Sequence, residues 1–162
     1  MGSLILAFLL PSPATLAGGR PEPPRAILQV GGLRQEGRRG NFCWEYEQGA
    51  QCSLYTPRFR WPEAKTTDAD QDARIKIRRW FEPETSRLHA YRHVDRDGRP
   101  TGDGWIVPHE VRQRTIDGRI RYFLYFHVTK KEGNYYLAFH MDLAEKNHES
   151  GDVTYFFHLD LK

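Results

Sequence analysis

Two cysteines, Cys43 and Cys52, and three histidines, His127, His140 and His158, are the residues whose types and spacing offer the most chemistry. Eight residues separate the cysteines. A dithiol redox motif would want two, and zinc would want four ligands in paired spacing. Downstream of an apolar leader, the pair reads as one short disulfide loop, stabilising by about 2–3 kcal/mol through restriction of the unfolded chain. The histidines point elsewhere. His140-Met141-Asp142 and His158-Leu159-Asp160 repeat a His-x-Asp spacing that puts each imidazole and carboxylate on one face of a strand. With His127 on a preceding strand, and strands paired in chain order, the three form a candidate zinc or copper site. The plainer reading is a polar outer sheet face that happens to carry histidines.

Arg58, Arg60 and Trp61, with Arg34, Arg38, Arg39 and Phe59, make a basic-aromatic candidate for binding acidic glycans, an anionic envelope or nucleic acid. Alternatively, Trp61 caps one end of the fold and the arginines keep it soluble. Asp95-Arg96-Asp97-Gly98 has a calcium-loop look, but glycine comes at position four and Arg99 takes the fifth ligand place, so it reads as a turn. His109-Glu110, His89 and His93 could do acid–base work, yet there is no Gly-x-Ser-x-Gly elbow. Asp142…Glu145-Lys146 reads as the start of a solvated hairpin turn.

These residues need a scaffold, and the sequence indicates strands. The 162 residues suffice for one domain; aromatics make up 13% and the net charge is +3. Mean hydropathy is −0.70. Lys and Arg look scattered rather than massed, which argues against a nucleic-acid footprint. Leu4 to Leu10 is too short to span a membrane, and Thr15-Leu16-Ala17-Gly18 suits leader cleavage near Ala17, although no Lys or Arg precedes the apolar run. The alternative is an apolar N-terminal strand. Residues 18–25, with Pro21, Pro23 and Pro24, read as a flexible or polyproline spacer. Ala26 to Val30 predicts a first strand, Gly37 to Gly40 a basic turn, and Phe42 to Glu47 a second strand. Thr56 to Asp72 reads as a loop. Further strands are expected over Arg74 to Phe81, Leu88 to Val94, Trp105 to Val111 and Arg119 to Thr129, with Asp117-Gly118 as a hairpin turn. The clearest signal is alternation in Ile120-Tyr122-Leu124-Phe126-Val128, Tyr135-Leu137-Phe139-Met141-Leu143 and Val153-Tyr155-Phe157-Leu159-Leu161. About eight short strands predict an all-β, two-sheet antiparallel sandwich over residues 26–162, with a small barrel as the rival.

Leu28-Gln29-Val30-Gly31-Gly32, leading into Gly40-Asn41-Phe42-Cys43-Trp44 and Cys52, resembles the start of a group of exported bacterial proteins. These carry a Gly-Ser-Tyr-Cys-Trp segment before a second cysteine. Gly133-Asn134-Tyr135 and Gly151-Asp152-Val153-Thr154-Tyr155 sit where that group has its closing strands, while the middle of the chain matches only in strand character. The resemblance implies an immunoglobulin-like sandwich in a secreted or extracytoplasmic setting and implies no activity. Together these readings predict a non-enzymatic, monomeric binding module for an extracellular or envelope ligand. No cofactor, nucleic-acid partner or transmembrane span is expected. A small ribonuclease-like hydrolase and a histidine-based metal binder are the alternatives.

Overall fold

A computed structural model describes residues 22–53, 60–77, 82–146 and 149–162. Among them the only regular elements are strands: β1 (Ala26–Val30), β2 (Leu33–Glu36), β3 (Arg38–Tyr46), β4 (Gly49–Ser53), β5 (Lys65–Thr67), β6 (Asp72–Ile77), β7 (Pro83–Tyr91), β8 (His93–Val94), β9 (Pro100–Thr101), β10 (Trp105–Ile106), β11 (His109–Ile116), β12 (Arg119–His127), β13 (Gly133–Lys146) and β14 (Glu149–Leu161). No helix among the described residues is long and apolar enough to cross a membrane.

One sheet runs β11-β12-β6-β1-β2 and a larger one β10-β7-β13-β14-β3-β4, with β5 joining β14 in parallel. All other pairings are antiparallel. Hairpin chemistry explains several joints. Asp117 and Gly118 both take positive φ, 51° and 69°, as a tight two-residue turn between β11 and β12 requires. Period-two alternation turns Leu28, Ile75 and Leu124 of the first sheet inward, and Leu137, Phe139, Tyr155 and Phe157 of the second. These residues share one buried cluster, with Trp44 at its β3 end. The indole of Trp44 donates to Glu149 Oε2 at 3.2 Å.

The chain passes from β2 of one sheet to β3 of the other at Gly37, whose Cα lies against the Phe157 ring; a Cβ there would sit 2.7 Å from Cζ. Next to this corner, Gln35 is the buried polar residue among those described, at 5% exposure. Its role follows from a gap in the ladder. Along that side of β14, β3 pairs as far as Phe156 and β5 begins at Leu159. Gln35 fills the gap: Oε1 accepts from the His158 amide at 3.0 Å, and Nε2 donates to the His158 and Glu63 carbonyls at 3.2 and 2.8 Å. A side-chain amide thus stands in for a missing strand residue.

Several sequence expectations change. Arg38 to Gly40 belong to β3 and are not a turn, and β2 precedes them. The expected loop over Thr56 to Asp72 contains β5 in its described part. Of the proline-rich stretch, Pro23 and Pro24 are buried, Glu22 pairs with Arg39 at 2.9 Å, and the Tyr155 hydroxyl donates to the Pro24 carbonyl. Residues 22–25 are therefore packed onto the body instead of forming a flexible spacer. The leader lies outside the described residues. The largest change concerns pairing order: β12 lies in the five-stranded sheet, whereas β13 and β14 lie in the other.

Candidate binding face on the five-stranded sheet

Register stacks the outward residues of the five-stranded sheet into rows. One row runs Glu110, Tyr125, Arg74, Gln29, Arg34 from β11 to β2; the next runs Arg112, Phe123, Lys76, Ile27, Glu36; a third begins Arg114, Arg121. Neighbours in a row are about 4.8 Å apart. The face is consequently basic with aromatic rings at its centre. Arg112 and Arg114 lie over the Tyr125 ring, 5.0 and 5.6 Å from its centroid, and Arg74 lies 5.4 Å from that of Phe123. Arg74 is oriented further by its Nε–H, which donates to Gln29 Oε1 at 2.8 Å. Arg112 pairs with Glu110, and the guanidinium holds that carboxyl below the usual glutamate range. Arg34, Arg114 and Arg121 have no acidic partner among the described residues.

A shallow cleft of about 290 Å³ opens at the end of this face, lined by Gln29, Arg34, Arg74 and Tyr125, by the Gly31-Gly32 turn and by Asp72. The Tyr125 hydroxyl oxygen is buried without a hydrogen-bond partner among the described residues. At the upper rim, His127 bridges two carboxylates: Nδ1 is 3.0 Å from Asp72 Oδ1 and Nε2 is 2.8 Å from Asp70 Oδ1. The bonds to Asp72 and then Asp70 push the imidazole above its ordinary value. The same pairing holds the Asp70 carboxyl down.

The expected metal site is not assembled. His127 lies on the five-stranded sheet with both ring nitrogens on carboxylates, which favours imidazolium over the neutral ring a metal needs. His140 lies opposite Thr154, and His158 opposite Tyr136. The two are thus offset by four positions, roughly 13 Å along the strands, and are not cross-strand neighbours. His140 Nδ1 is 3.0 Å from the Thr154 hydroxyl, and Nε2 is 3.4 Å from Asp142 Oδ1. His158 stacks on Tyr136 at 4.1 Å, with Nδ1 3.2 Å from the Pro62 carbonyl; burial lowers its proton affinity. Among the described residues, no three of His, Cys, Asp or Glu converge as metal ligands.

The other expected patch is divided. Trp61 is not displayed: it packs edge-on against Tyr136 at 5.1 Å and Phe156 at 4.9 Å, and its indole donates to the Gly98 carbonyl at 2.7 Å. Trp61 therefore covers the outer side of the larger sheet. Arg60 is exposed, Arg58 lies outside the described residues, and Arg34 lies on the opposite sheet from Arg38 and Arg39. Asp95 makes the turn its composition predicts, with Oδ1 accepting from the amides of Asp97 and Arg99 at 2.8 Å each. Cys43 and Cys52 are directly opposed in β3 and β4 and form the disulfide. Sequence reasoning missed the basic face because its residues look scattered along the chain. The signal was present as same-face pairs two apart: Arg74/Lys76, Arg112/Arg114 and Arg119/Arg121. Only register reveals that these pairs adjoin.

One further pair has a chemical look. Ser86 Oγ is 2.9 Å from His109 Nε2, and His109 Nδ1 is 2.9 Å from the Val107 carbonyl. It links β7 to the start of β11, joining the two sheets at their shared edge. Comparison of the chain with family models, with curated proteins and with solved structures found no match.

Proposed function

We propose that this protein is a secreted or envelope-associated, non-enzymatic binding module whose outward basic face recognises an acidic polysaccharide. One observation carries the reading: Arg34, Arg74, Arg112, Arg114 and Arg121 all project from one sheet around Tyr125 and Phe123. Single-stranded nucleic acid would want open rings on which to stack bases. Here arginines already occupy both rings, which leaves charge and hydrogen bonding as the means of recognition. An apolar membrane insertion is disfavoured for a related reason, since Phe123 is buried beneath its neighbours. The Cys43–Cys52 disulfide supports an oxidising compartment.

The fold we propose is a two-sheet sandwich, supported by two antiparallel sheets that share one core. Alternation of its hairpins between the sheets supports an immunoglobulin-like reading, with β6 as an extra strand between the β1–β2 and β11–β12 hairpins. The module acts as a monomer, presenting a rigid surface.

Retention on immobilised polygalacturonate or heparin, against neutral dextran, tests the function. Wild type is expected to bind in a salt-sensitive manner, and Arg114→Glu/Arg121→Glu to lose retention while keeping its thermal midpoint. Equal behaviour of wild type and variant would remove the proposal. Preferential retention on single-stranded DNA would transfer the face to nucleic acid. The Ser86–His109 pair gives a second reading, a hydrolase, since a serine hydroxyl held by an oriented imidazole is a nucleophile's arrangement. A fluorophosphonate probe decides it: labelling at Ser86 would establish the enzyme, and our reading of the pair as an inter-sheet latch expects none.

A further inference from the structure

Building on the acidic-polysaccharide reading, we propose that the cleft beside the β1–β2 turn is a subsite for one uronate ring. Its floor is a single cross-strand row, Tyr125–Arg74–Gln29–Arg34, so four polar side chains from four adjacent strands converge on one small space. At about 290 Å³ the cleft lies at the lower edge of ligand-pocket sizes, which suits one ring and not an extended chain.

The lining specifies the chemistry. Arg74 is fixed through Nε to Gln29 and by the Phe123 ring, so its terminal amino groups are pre-aimed. Arg34 supplies a second guanidinium with no acidic partner among the described residues. Two such forks match a carboxylate. The Tyr125 hydroxyl is the most telling group. It is buried and unpartnered beside the cleft that its residue lines, so a ligand reaches it by displacing the side chains that cover it. Folded proteins seldom leave such a group unsatisfied unless something else completes it. Asp72 stands at the rim with its side chain 97% exposed. A carboxylate there repels a bare inorganic anion but accepts from a sugar hydroxyl. Donors for a carboxylate beside an acceptor for hydroxyls describe an acidic sugar. The turn leaves room for it, because a Cβ added at Gly32 meets no atom within 4 Å.

Titration of the full chain with galacturonate, galactose and inorganic phosphate, followed by backbone amide shifts of Gly31 and Gly32, tests the subsite. Galacturonate is expected to saturate, and galactose and phosphate to bind at least tenfold more weakly. Tyr125→Phe removes one oxygen and should weaken galacturonate about tenfold; Gly32→Val should abolish its binding by filling the opening. Gly32→Val lies outside the arginine rows and should still be retained on polygalacturonate. Failure of galacturonate to saturate, phosphate binding as tightly, or wild-type binding by both variants would each overturn the inference. If wild type is retained on the polymer but ignores the monomer, the subsite fails and the basic face stands. If the monomer binds but the polymer is not retained, the polymer reading fails and the subsite stands.

Discussion

Replacing Gln35 with leucine keeps the volume of the side chain and deletes three hydrogen bonds in the gap between β3 and β5. The His158 amide loses its acceptor, and the carbonyls of His158 and Glu63 lose their donors. A buried polar group left unpaired costs about 1–3 kcal/mol. For three groups, with some water reaching the Glu63 side, the sum is about 3–5 kcal/mol. Against a typical domain stability of about 5–15 kcal/mol, that is a large fraction. Urea denaturation should show the midpoint falling with an unchanged slope, since the surface exposed on unfolding is the same. Hydrogen exchange should show the His158 amide losing protection beyond the global change. Gln35→Glu sharpens the test, because a carboxylate keeps the acceptor for His158 but opposes two carbonyls. It should be at least as destabilising near neutral pH and recover when protonated in acid. If Gln35→Leu unfolds within about 0.5 kcal/mol of wild type, the side chain does not complete the ladder and the reasoning fails.

Other consequences are independent of that one. Because the folded state raises the His127 pKa, its contribution is fully present below the unfolded value near 6.5 and is lost as pH rises through the folded one. His127→Gln should flatten that part of a plot of thermal midpoint against pH; an unchanged slope would dismiss the carboxylate clamp. His158, lowered by burial, contributes with the opposite sign, above its unfolded value, so the difference between wild type and His127→Gln isolates His127. Gly151 has φ 144°, and a Cβ would lie 2.1 Å from the Cys43 carbonyl oxygen, so Gly151→Ala should separate β14 from β3 and unfold the protein at temperatures wild type survives. Circular dichroism melts check this, and a shift within a degree or two would contradict it. Reduction of the Cys43–Cys52 bond should cost about 2–3 kcal/mol in chemical denaturation without unfolding the core, because Trp44 and its neighbours are buried independently of it.

The terminal strands were legible because one face of each is continuously buried. Leu137 to Leu143 and Val153 to Leu161 alternate without interruption, Tyr136 being covered on the outer face as well, and every inward residue named from the pattern is buried. Ile120 broke the pattern at 41% exposure, since the β11–β12 hairpin extends past the core there. Alternation gives a strand its two faces but does not say which sheet it joins. The connection after His127 crosses from one sheet to the other, so histidines adjacent in the sequence pattern became remote in space. β2 and β5 were invisible for a different reason. Leu33–Glu36 buries a glutamine where a strand pattern wants an apolar residue, and Lys65–Thr67 is polar throughout. The Cys43–Cys52 pairing was readable from the spacing of the two cysteines together with the apolar leader before them. The basic face was not, because its rows exist only once five strands from distant parts of the chain are in register.

Where a bound acidic oligosaccharide lies is the most direct test of the central claim. Chemical-shift mapping with a short oligogalacturonate should perturb Arg34, Arg74, Arg114, Arg121 and Tyr125 together, and spare Trp61, Tyr136 and His158 on the outer side of the larger sheet. Perturbation confined to that opposite side, or no saturable perturbation at all, would contradict it.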